Sequence, residues 1–328
     1  MSFLRATARP TLNTSSSLFS RATSSPLSLS RPFSAHHPRL NSDTAPKILL
    51  EDKTTGFGHI RHNPRPPKPR NVGVTEIRGP YYSVMGPNYL SDVLRTMGHQ
   101  VDGLKFAGGS FALFGEQALR ELVDLAHAHG VYVSTGGWIE HVLAGTGGEV
   151  GAGIDRYLDR CKDLGMDVIE VSTGFLSLPN ADWLRLVERV QQKGLKAKPE
   201  LGIQFGAGGD TEASDLEAMG SSDPSRVTSM AKEFVKAGVE RCMIESEGIT
   251  ENVKSWRTDV IQAILREVPL ENVMFEAADP KVFNWYIREF GVDVNLFVDH
   301  SQIVQLSCLR HGIWGMADTF GKITTFRP

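Results

Sequence analysis

The sequence predicts a single-domain (β/α)8 TIM barrel behind a disordered N-terminal leader. From Asn71 onward, strand-like and helix-like segments alternate eight times, which matches the arithmetic of a parallel barrel of about 250 residues. Many helix-like segments stop at a glycine just before the next strand, a position where helices commonly end. Several strand-like segments end in a glutamate. A doubly wound parallel sheet is the alternative fold, but it requires a topological switch point and usually has fewer units.

Each strand-like segment is a short run of β-branched or apolar residues, and the segments fall at about 72–77, 103–107, 131–134, 168–172, 195–200, 241–245, 273–276 and 294–298. The helix-like segments repeat apolar residues at three- and four-residue spacing, and they fall at about 88–97, 116–129, 154–164, 182–193, 225–237, 258–268, 280–290 and 303–311. The glycines predicted to end helices in the left-handed conformation are Gly98, Gly130, Gly165, Gly194, Gly238 and Gly291. The barrel domain is therefore expected to occupy residues 71–328.

The composition is that of an ordinary globular protein with a mildly acidic body. The chain has 328 residues, of which 41% are apolar, and a formal charge of −3. Without residues 1–43, the rest carries 30 Lys and Arg against 37 Asp and Glu, a charge of −7. This balance argues against a nucleic-acid partner, which calls for a basic face. No apolar run approaches the roughly 20 residues that span a bilayer, so no membrane partner is expected.

Residues 1–43 have the composition of a mitochondrial transit peptide. They contain five arginines among serine, threonine and apolar residues, and Asp43 is their only acid. Transit peptides are rich in Arg and Ser and poor in acids, whereas a secretory signal needs a continuous apolar core. Residues 31–34, Arg-Pro-Phe-Ser, resemble a matrix-processing site, which predicts cleavage after Phe33 and a location in the mitochondrial matrix. The alternative is a disordered cytosolic tail. Residues 44–70 are predicted to form a proline-rich entry segment.

Acidic residues stand at the carboxyl ends of most strand-like segments, and one segment ends instead in Lys105. Because the carboxyl ends of barrel strands converge on the face where barrel enzymes keep their chemistry, these side chains are expected around one mouth. A ring of carboxylates facing one lysine suits a divalent cation and a small anionic substrate. The alternative is that some of these acids are helix N-caps or surface charges. The acids are Glu76, in the least regular segment, and Glu170, Glu200, Glu245 and Glu276.

Short loops after three of the strands carry residues that can bind an anion. Glycines after a strand allow backbone N–H groups to approach an oxyanion, and the start of the next helix favours negative charge. The alternative is that these glycines only make turns. Glu140 and His141 follow the second of these loops and are second-rank candidates. The residues predicted to bind substrate are Gly108, Gly109, Gly136, Gly137, Ser172 and Gly174.

The same residues carry a resemblance to the phosphosulfolactate synthase family, and especially to its plant and fungal branch related to heat-stress-associated proteins. The resemblance extends from about Lys68 to Lys322, and both order and spacing fit. Its motifs are Lys68-Pro69-Arg70, Gly73-Val74-Thr75, Leu104-Lys105-Phe106, Thr135-Gly136-Gly137 with Glu140, Ile169-Glu170-Val171-Ser172 with Gly174, Glu200-Leu201-Gly202, Ile244-Glu245, Phe275-Glu276-Ala277, Val294-Asn295-Leu296, Leu309-Arg310-His311-Gly312 and Asp318-Thr319-Phe320-Gly321.

The resemblance implies a barrel fold and a Mg²⁺-dependent addition of sulfite to phosphoenolpyruvate, the reaction of the archaeal members. A divalent ion held by carboxylates would stabilise the charge that develops on the substrate carboxylate, and a cationic acid would protonate the central carbon. Together with the strand ends, this leads us to expect Lys105 and Glu200 as catalytic residues, and Glu170, Glu245 and Glu276 as ligands of Mg²⁺.

One departure from the family pattern concerns the proton donor. Archaeal members carry a Lys-Lys pair directly after the Glu-Val-Gly of the fifth strand, where this chain has Ile203 and Gln204. Gln204 cannot protonate a carbanion, so we expect weak turnover with ligand binding better preserved. The alternative function is a non-catalytic stress-related or chaperone-interaction protein that retains the fold. The oligomeric state is left open, a homo-oligomer included.

Overall fold

The structure, a computed structural model, describes residues 62–145, 150–209, 211–218, 223–277, 279–317, 319 and 323–325. The expectations for the leader at 1–43, for the first part of the entry segment and for Asp318, Phe320 and Gly321 lie outside these residues. Within the described residues, eight parallel strands close into a barrel in sequence order. The strands are β1 Thr75–Arg78, β2 Gly103–Phe106, β3 Tyr132–Thr135, β4 Val168–Ser172, β5 Lys196–Leu201, β6 Cys242–Ile244, β7 Val273–Glu276 and β8 Leu296–Asp299.

Helices alternate with these strands along the chain, so the predicted TIM barrel is confirmed. The last strand pairs back with the first, Thr75 opposite Leu296 and Arg78 opposite Asp299. This closure excludes a doubly wound sheet, which has two open edges. The helices are α1 Pro87–Met97, α2 Glu116–Ala128, α3 Trp138–Gly145, α4 Val150–Asp163, α5 Asn180–Gln192, α6 Ala213–Ala218, α7 Ser225–Lys236, α8 Thr258–Glu267, α9 Pro280–Phe290 and α10 Ile303–His311.

Two local expectations are wrong. Glu76 does not end the first strand, because β1 continues to Arg78 and stops before Gly79. Gly98 does not end α1 in a left-handed conformation: its φ is −57° and the chain continues into a short helical turn. The other five helix-ending glycines do have positive φ angles. The short helices α3 and α6 were not predicted.

The helices pack against the barrel through one apolar face each. In α2, residues Leu119, Leu122, Val123 and Ala126 are buried, and their three- and four-residue spacing places them on one side of the helix. Glu116 and Arg120 on the outer side of the same helix are exposed and form an ion pair. This pattern fixes each helix outside the barrel and leaves the strands to position the inward-facing residues.

The middle of the barrel interior contains a charged layer. Lys198 of β5 donates to both carboxylate oxygens of Glu76, at 2.7 and 2.8 Å, and Ser134 of β3 donates to the same carboxylate. These three residues come from alternate strands, as expected for one layer of a TIM barrel. Burial alone would raise the pKa of Glu76, but the charges of Lys198 and Lys105 hold this pKa below its ordinary value. Glu76 is therefore a structural anion beneath the mouth.

The amino-terminal face of the barrel is closed by polar side chains bonded to backbone groups. Arg310 is 1% exposed and donates to the carbonyl oxygens of Val292 and Val294. Asn295 accepts from the backbone N–H of Val74 and donates to the carbonyl of Val273, both at 2.9 Å. Residues at this end of a barrel contribute to stability rather than to catalysis.

The last part of the entry segment, residues 62–70, lies against this amino-terminal face. Lys68 donates to the carbonyls of Gly98 and His129 at 3.0 Å each, and Arg70 forms an ion pair with Asp102 at 2.8 Å. The entry segment is thus bonded to the face opposite the strands' carboxyl ends.

Among the described residues, no helix is both long enough and apolar enough to cross a membrane.

Candidate active site

The carboxyl ends of the strands surround a cavity of about 560 Å³. This volume is in the range of sites for small ligands. Glutamates dominate the charged residues of its wall, which otherwise include Arg78 and Lys105. An anion can enter such a cavity only if a cation or bound protons offset the negative charge. The glutamates are Glu140, Glu170, Glu200, Glu245, Glu247, Glu251 and Glu276.

Three of these glutamates form a cluster suited to a cation. Glu200 lies near the end of β5, Glu245 directly follows β6, and Glu276 ends β7. These strands are neighbours in the barrel, and one oxygen from each carboxylate lies within 4.8 Å of the other two. The adjacency of three consecutive strands therefore brings three distant sequence positions to one point.

The protein balances the charge on this cluster only in part, through Arg78 beside Glu276 and Lys105 beside Glu200. Burial, followed by repulsion from Glu276 and Glu200, raises the pKa of Glu245 well above its ordinary value. Burial also raises the pKa of Glu276, although Arg78 and Lys105 oppose this rise. A divalent cation would remove the repulsion, and three carboxylates are the hard oxygen donors that Mg²⁺, Mn²⁺ and Ca²⁺ prefer. The donor set therefore fits the expected metal.

Glu170 occupies a different position from the one expected for a metal ligand. It lies in the middle of β4, deeper than the cluster, and its carboxylate is 2.5 Å from Lys105 Nζ and 3.6 Å from Lys198 Nζ. Glu200 takes its place beside Glu245 and Glu276. Burial and the negative charge of Glu200 raise the pKa of Glu170 to about 8, against the opposing charges of the two lysines.

Lys105 lies between the charged layer beneath the mouth and the cluster of three carboxylates. Its ammonium group contacts Glu170 at 2.5 Å and Glu200 at 3.1 Å, and it stands 4.6 Å from the ring centre of Phe297. Burial alone would lower the pKa of Lys105, but Glu170 and Glu200 raise it well above its ordinary value. Lys105 therefore carries a positive charge at neutral pH, at the floor of the cavity.

Arg78 is a second buried cation of the cavity, and the sequence analysis missed it. Its guanidinium group forms an ion pair with Glu276 and lies over the rings of Tyr82, at 4.8 Å, and Phe297, at 5.1 Å. A signal was present in the sequence: Arg78 is two residues after Glu76, so both face the barrel interior if the strand continues to Gly79.

The predicted substrate-binding residues divide into two groups. Gly108, Gly137 and Ser172 line the cavity. The other three allow neighbouring loops to approach closely: a Cβ on Gly136 would lie 2.6 Å from Gly108 N, a Cβ on Gly174 2.7 Å from Ala207 O, and a Cβ on Gly109 2.3 Å from the Trp138 ring. These three glycines therefore do not line the cavity themselves, but they allow the loops that form its wall to pack closely.

The second-rank candidates Glu140 and His141 also line the cavity, from α3. Glu140 accepts from the backbone N–H of Phe175 at 2.8 Å and from Ser172 Oγ at 3.0 Å, which ties α3 to the loop after β4. The imidazole of His141 stacks on Trp138 with 4.2 Å between ring centres. Through its hydrogen bond with Ser172, Glu140 positions this side chain in the wall of the cavity.

Gln204 does not contribute to the wall of this cavity. Its side-chain amide donates to the carbonyl of Leu216 in α6 at 3.1 Å, and it lines a separate depression outside the mouth. The position that resembles the archaeal proton donor is thus turned toward α6 here.

Fold and site together define a barrel protein whose mouth holds buried cations and a carboxylate cluster competent for a divalent metal. The chain belongs to the (2R)-phospho-3-sulfolactate synthase (ComA) family, whose model matches residues 63–316. The resemblance stated from the sequence motifs is confirmed.

Two relatives illustrate the breadth of this family. Protein HEAT-STRESS-ASSOCIATED 32 from Arabidopsis thaliana is 38% identical over 262 residues, 75% of this chain and 88% of that protein. Phosphosulfolactate synthase from Methanothermobacter thermautotrophicus is 24% identical over 267 residues, 79% of this chain and 96% of that protein. Among solved structures, the YdjI aldolase from Escherichia coli K12 has a TM-score of 0.45 and 14% identity, over 72% of this chain and 78% of that one, a likeness too weak to inform function.

Proposed function

We propose that this protein is a phosphosulfolactate synthase-like enzyme that binds Mg²⁺ and adds sulfite, or a related nucleophile, to phosphoenolpyruvate or a similar phospho-carboxylate. The observation that carries the proposal is the placement of the carboxylates of Glu200, Glu245 and Glu276 within 4.8 Å of one another, in a cavity that also exposes Lys105. Family membership supports the same reading.

The residues of the cavity have separable tasks in this proposal. Glu200, Glu245 and Glu276 would hold the cation, which would stabilise negative charge that develops on the substrate carboxylate. Lys105 and Arg78 would attract and orient the anionic groups of the substrate. Sulfite addition to the terminal carbon requires a proton at the central carbon. With Gln204 turned away, the buried pair of Lys105 and Glu170 is the proton source that the cavity offers.

A thermal-shift experiment with Mg²⁺ and phosphoenolpyruvate tests the binding part of the proposal. A ligand that binds the folded state stabilises it by about 2.7 kcal/mol at 100 times its Kd. We expect Mg²⁺ to raise the melting temperature, and phosphoenolpyruvate to raise it further only when Mg²⁺ is present. Glu245→Gln should lose both effects. The matched control is Glu240→Gln, which removes the same charge from an exposed ion pair with Lys196.

The outcome that contradicts the proposal is a melting temperature that responds to neither ligand. An equal response in wild type and Glu245→Gln would also contradict it, because the ligand would then bind elsewhere.

The position of Gln204 leads to a second test, which concerns turnover. We expect sulfite addition in the unmodified protein to be slow, since loss of a general acid typically costs about 10²–10⁴-fold in rate. Gln204→Lys should leave the rate low, because its side chain lies outside the cavity. Glu170→Gln should lower the remaining rate. A large gain of sulfolactate formation in Gln204→Lys would instead show that a lysine at this position reaches the substrate.

A second candidate function is that of a non-catalytic, stress-related or chaperone-interaction protein. The similarity to Protein HEAT-STRESS-ASSOCIATED 32 favours it. Cells that carry Glu245→Gln in place of the wild type distinguish the two candidates: a non-catalytic protein should support heat tolerance unchanged, whereas an enzyme that needs its cation should not.

A further inference from the structure

The loop that follows β5, described at residues 202–209 and 211, forms one wall of the cavity through Gly208 and Gly209. This stretch has irregular backbone and several glycines, so its own sequence provides little to fix its conformation. The contacts that fix it come from the loop after β6, and chiefly from one carboxylate.

Glu247 provides that carboxylate, and its side chain is surrounded by hydrogen-bond donors. One oxygen accepts from the backbone N–H groups of Gly208 at 2.7 Å and Gly209 at 3.1 Å; the other accepts from Thr211 N and Asn252 Nδ2, each at 3.1 Å. Glu247 is only 3% exposed. A buried carboxylate with four donors binds to the loop much as an anion binds in a backbone nest.

Glu247 also affects both carboxylate oxygens of Glu245, a member of the cluster of three carboxylates. The backbone N–H of Glu247, together with that of Ser246, donates to Oε1 of Glu245, at 3.1 and 2.8 Å. The other oxygen, Oε2, faces Gly208, where a Cβ would approach to 2.9 Å. Because Oε1 already accepts these hydrogen bonds, Oε2 is the oxygen that remains available to a cation. The Glu247 carboxylate holds Gly208 in place and so limits the positions that Oε2 can take.

Backbone strain is located at the same contact. Asn252 has a φ of 52°, the only positive φ at a non-glycine residue among the described positions. In this conformation its side-chain amide donates both to Glu247 Oε1 and to the carbonyl of Thr211, at 3.0 Å. Strained residues persist where surrounding contacts determine them, and they cluster at functional sites.

We propose that Glu247 is a positioning residue for the cation site: it fastens the loop after β5 against Glu245 and so sets the direction of the Glu245 oxygen that binds the metal. The inference rests on the proposed cation site, but the loop contact can be measured without any metal. Groups that orient metal ligands through hydrogen bonds typically contribute 10–100-fold to metal affinity.

The informative variant is Glu247→Gln, which preserves size but replaces one acceptor oxygen with an amino group. Two of the four N–H donors then face another donor. Glu251→Gln is the matched control, because Glu251 lies on the same loop, lines the same cavity and loses the same charge, yet its carboxylate accepts from Ser246 Oγ rather than from the loop after β5. Asn252→Gly leaves the charge unchanged and removes one of the four donors to the Glu247 carboxylate. Glycine readily adopts the positive φ of this position.

Two measurements decide the inference. The first is hydrogen exchange at the backbone N–H groups of Gly208, Gly209 and Thr211 without metal, and the second is the Kd of Mn²⁺ from paramagnetic titration. In Glu247→Gln we expect exchange to rise at least about tenfold and the Mn²⁺ Kd to rise about 10–100-fold. Glu251→Gln should leave exchange unchanged and weaken Mn²⁺ less.

Equal weakening of Mn²⁺ by Glu247→Gln and Glu251→Gln would overturn the inference, since Glu247 would then act only through its charge. Unchanged exchange in Glu247→Gln would overturn it as well. If Glu247→Gln does not fold, Asn252→Gly decides: faster exchange in the loop supports the contact, and unchanged exchange refutes it. If the wild type binds no Mn²⁺, the proposed function fails, and the exchange measurement alone still tests the positioning of the loop.

Discussion

Individual side chains inside the barrel form two charged layers with different tasks. The lower pair, Glu76 and Lys198, is enclosed beneath the mouth, whereas Lys105 and Glu170 stand between it and the cavity. Removal of one partner from a buried pair leaves an uncompensated charge, which costs more than the pair itself contributes. The lower layer is therefore a requirement of the fold, and the upper layer connects the fold to the site.

The lower layer leads to a stability prediction. Lys198→Met should reduce the free energy of unfolding by about 3–5 kcal/mol, because it strands the fully buried Glu76 carboxylate. Adding Glu76→Gln to this variant should recover part of the loss. Urea denaturation of the wild type and both variants measures the difference. If Lys198→Met were as stable as the double variant, the unpaired Glu76 carboxylate would not be destabilising, which would contradict the prediction.

The raised pKa of Glu170 leads to a prediction on pH. Its folded-state pKa of about 8 exceeds the ordinary value of 4.5, so between these values the folded state holds a proton that the unfolded state has released. Stability without metal should therefore fall as pH rises from 6.5 to 8, by at most about 1.4 kcal/mol per pH unit for one proton. His311, with a pKa lowered to about 4, contributes an opposite slope only below 6.5. Glu170→Gln should reduce this decrease but not remove it, because the raised pKa values of Glu245 and Glu276 contribute a slope of the same sign. Urea denaturation at each pH measures the slope, and an identical slope in both proteins would assign it to groups other than Glu170.

The sequence predicted which types of residue form the site, but not how deep in the barrel each of them lies. The glutamates and Lys105 were found because charges at strand ends are unusual. The fourth strand was predicted with its observed bounds, 168–172, but Glu170 was grouped with the acids at strand ends although it lies two residues before the end. The first strand was predicted to end at residue 77, one residue too early to include Arg78. Lys198 was recoverable, because it precedes Glu200 by two residues and so faces the same side of the strand. Glu247 was not recoverable, because its donors are backbone groups of a distant loop.

At the scale of elements, the loops after β2 and β3 pack backbone against backbone, and so do the loops after β4 and β5. Gly136 sits against Gly108, and Gly174 sits against Ala207. These contacts transmit the position of one loop to the next around the mouth. The helices that the sequence did not predict lie in this region: α6 has only six residues, too few to show a period, and α3 is apolar over most of its length.

This packing predicts opposite effects for two glycine substitutions. Gly136→Ala should destabilise the protein by about 1–3 kcal/mol, because the new Cβ would meet the backbone atoms Gly108 N at 2.6 Å and Phe106 O at 2.8 Å. Gly145→Ala, in the last turn of α3 with no heavy atom within 4 Å of its Cβ, should stabilise by about 0.4–1 kcal/mol. Thermal unfolding of both variants provides the comparison. A neutral Gly136→Ala would show that the loops yield easily.

At the scale of the whole molecule, the barrel places its hydrogen-bonded closing contacts and its cavity on opposite faces. The fold was predictable because eight βα repeats leave few other arrangements, and because glycines punctuate most of them. Arg310 and Asn295 close the amino-terminal face through backbone carbonyls and N–H groups, contacts that composition cannot reveal. The cavity on the other face depends on the same closure, since its cluster is formed by three adjacent strands.

We propose that residues 1–43 direct the chain to the mitochondrial matrix and are removed near Phe33. The acid-poor, Arg- and Ser-rich composition supports this proposal. N-terminal sequencing of the protein from its own cells should show a start after Phe33 or within about ten residues of it. An intact Met1 or Ser2 in a cytosolic fraction would contradict import.

The chain enters and leaves the described barrel at the same place, beside Asn63. Its side chain donates to Ile323 O and accepts from Thr325 N, each at 3.0 Å. A short peptide can therefore join these two segments and convert the barrel into a circle of polypeptide, which can then be reopened between α3 and α4 without cutting a strand. In such a circular permutant the new termini would lie between α4 and α3, and Ala144 of α3 lines the cavity, so a fused domain or fluorophore attached there would report on events in the cavity.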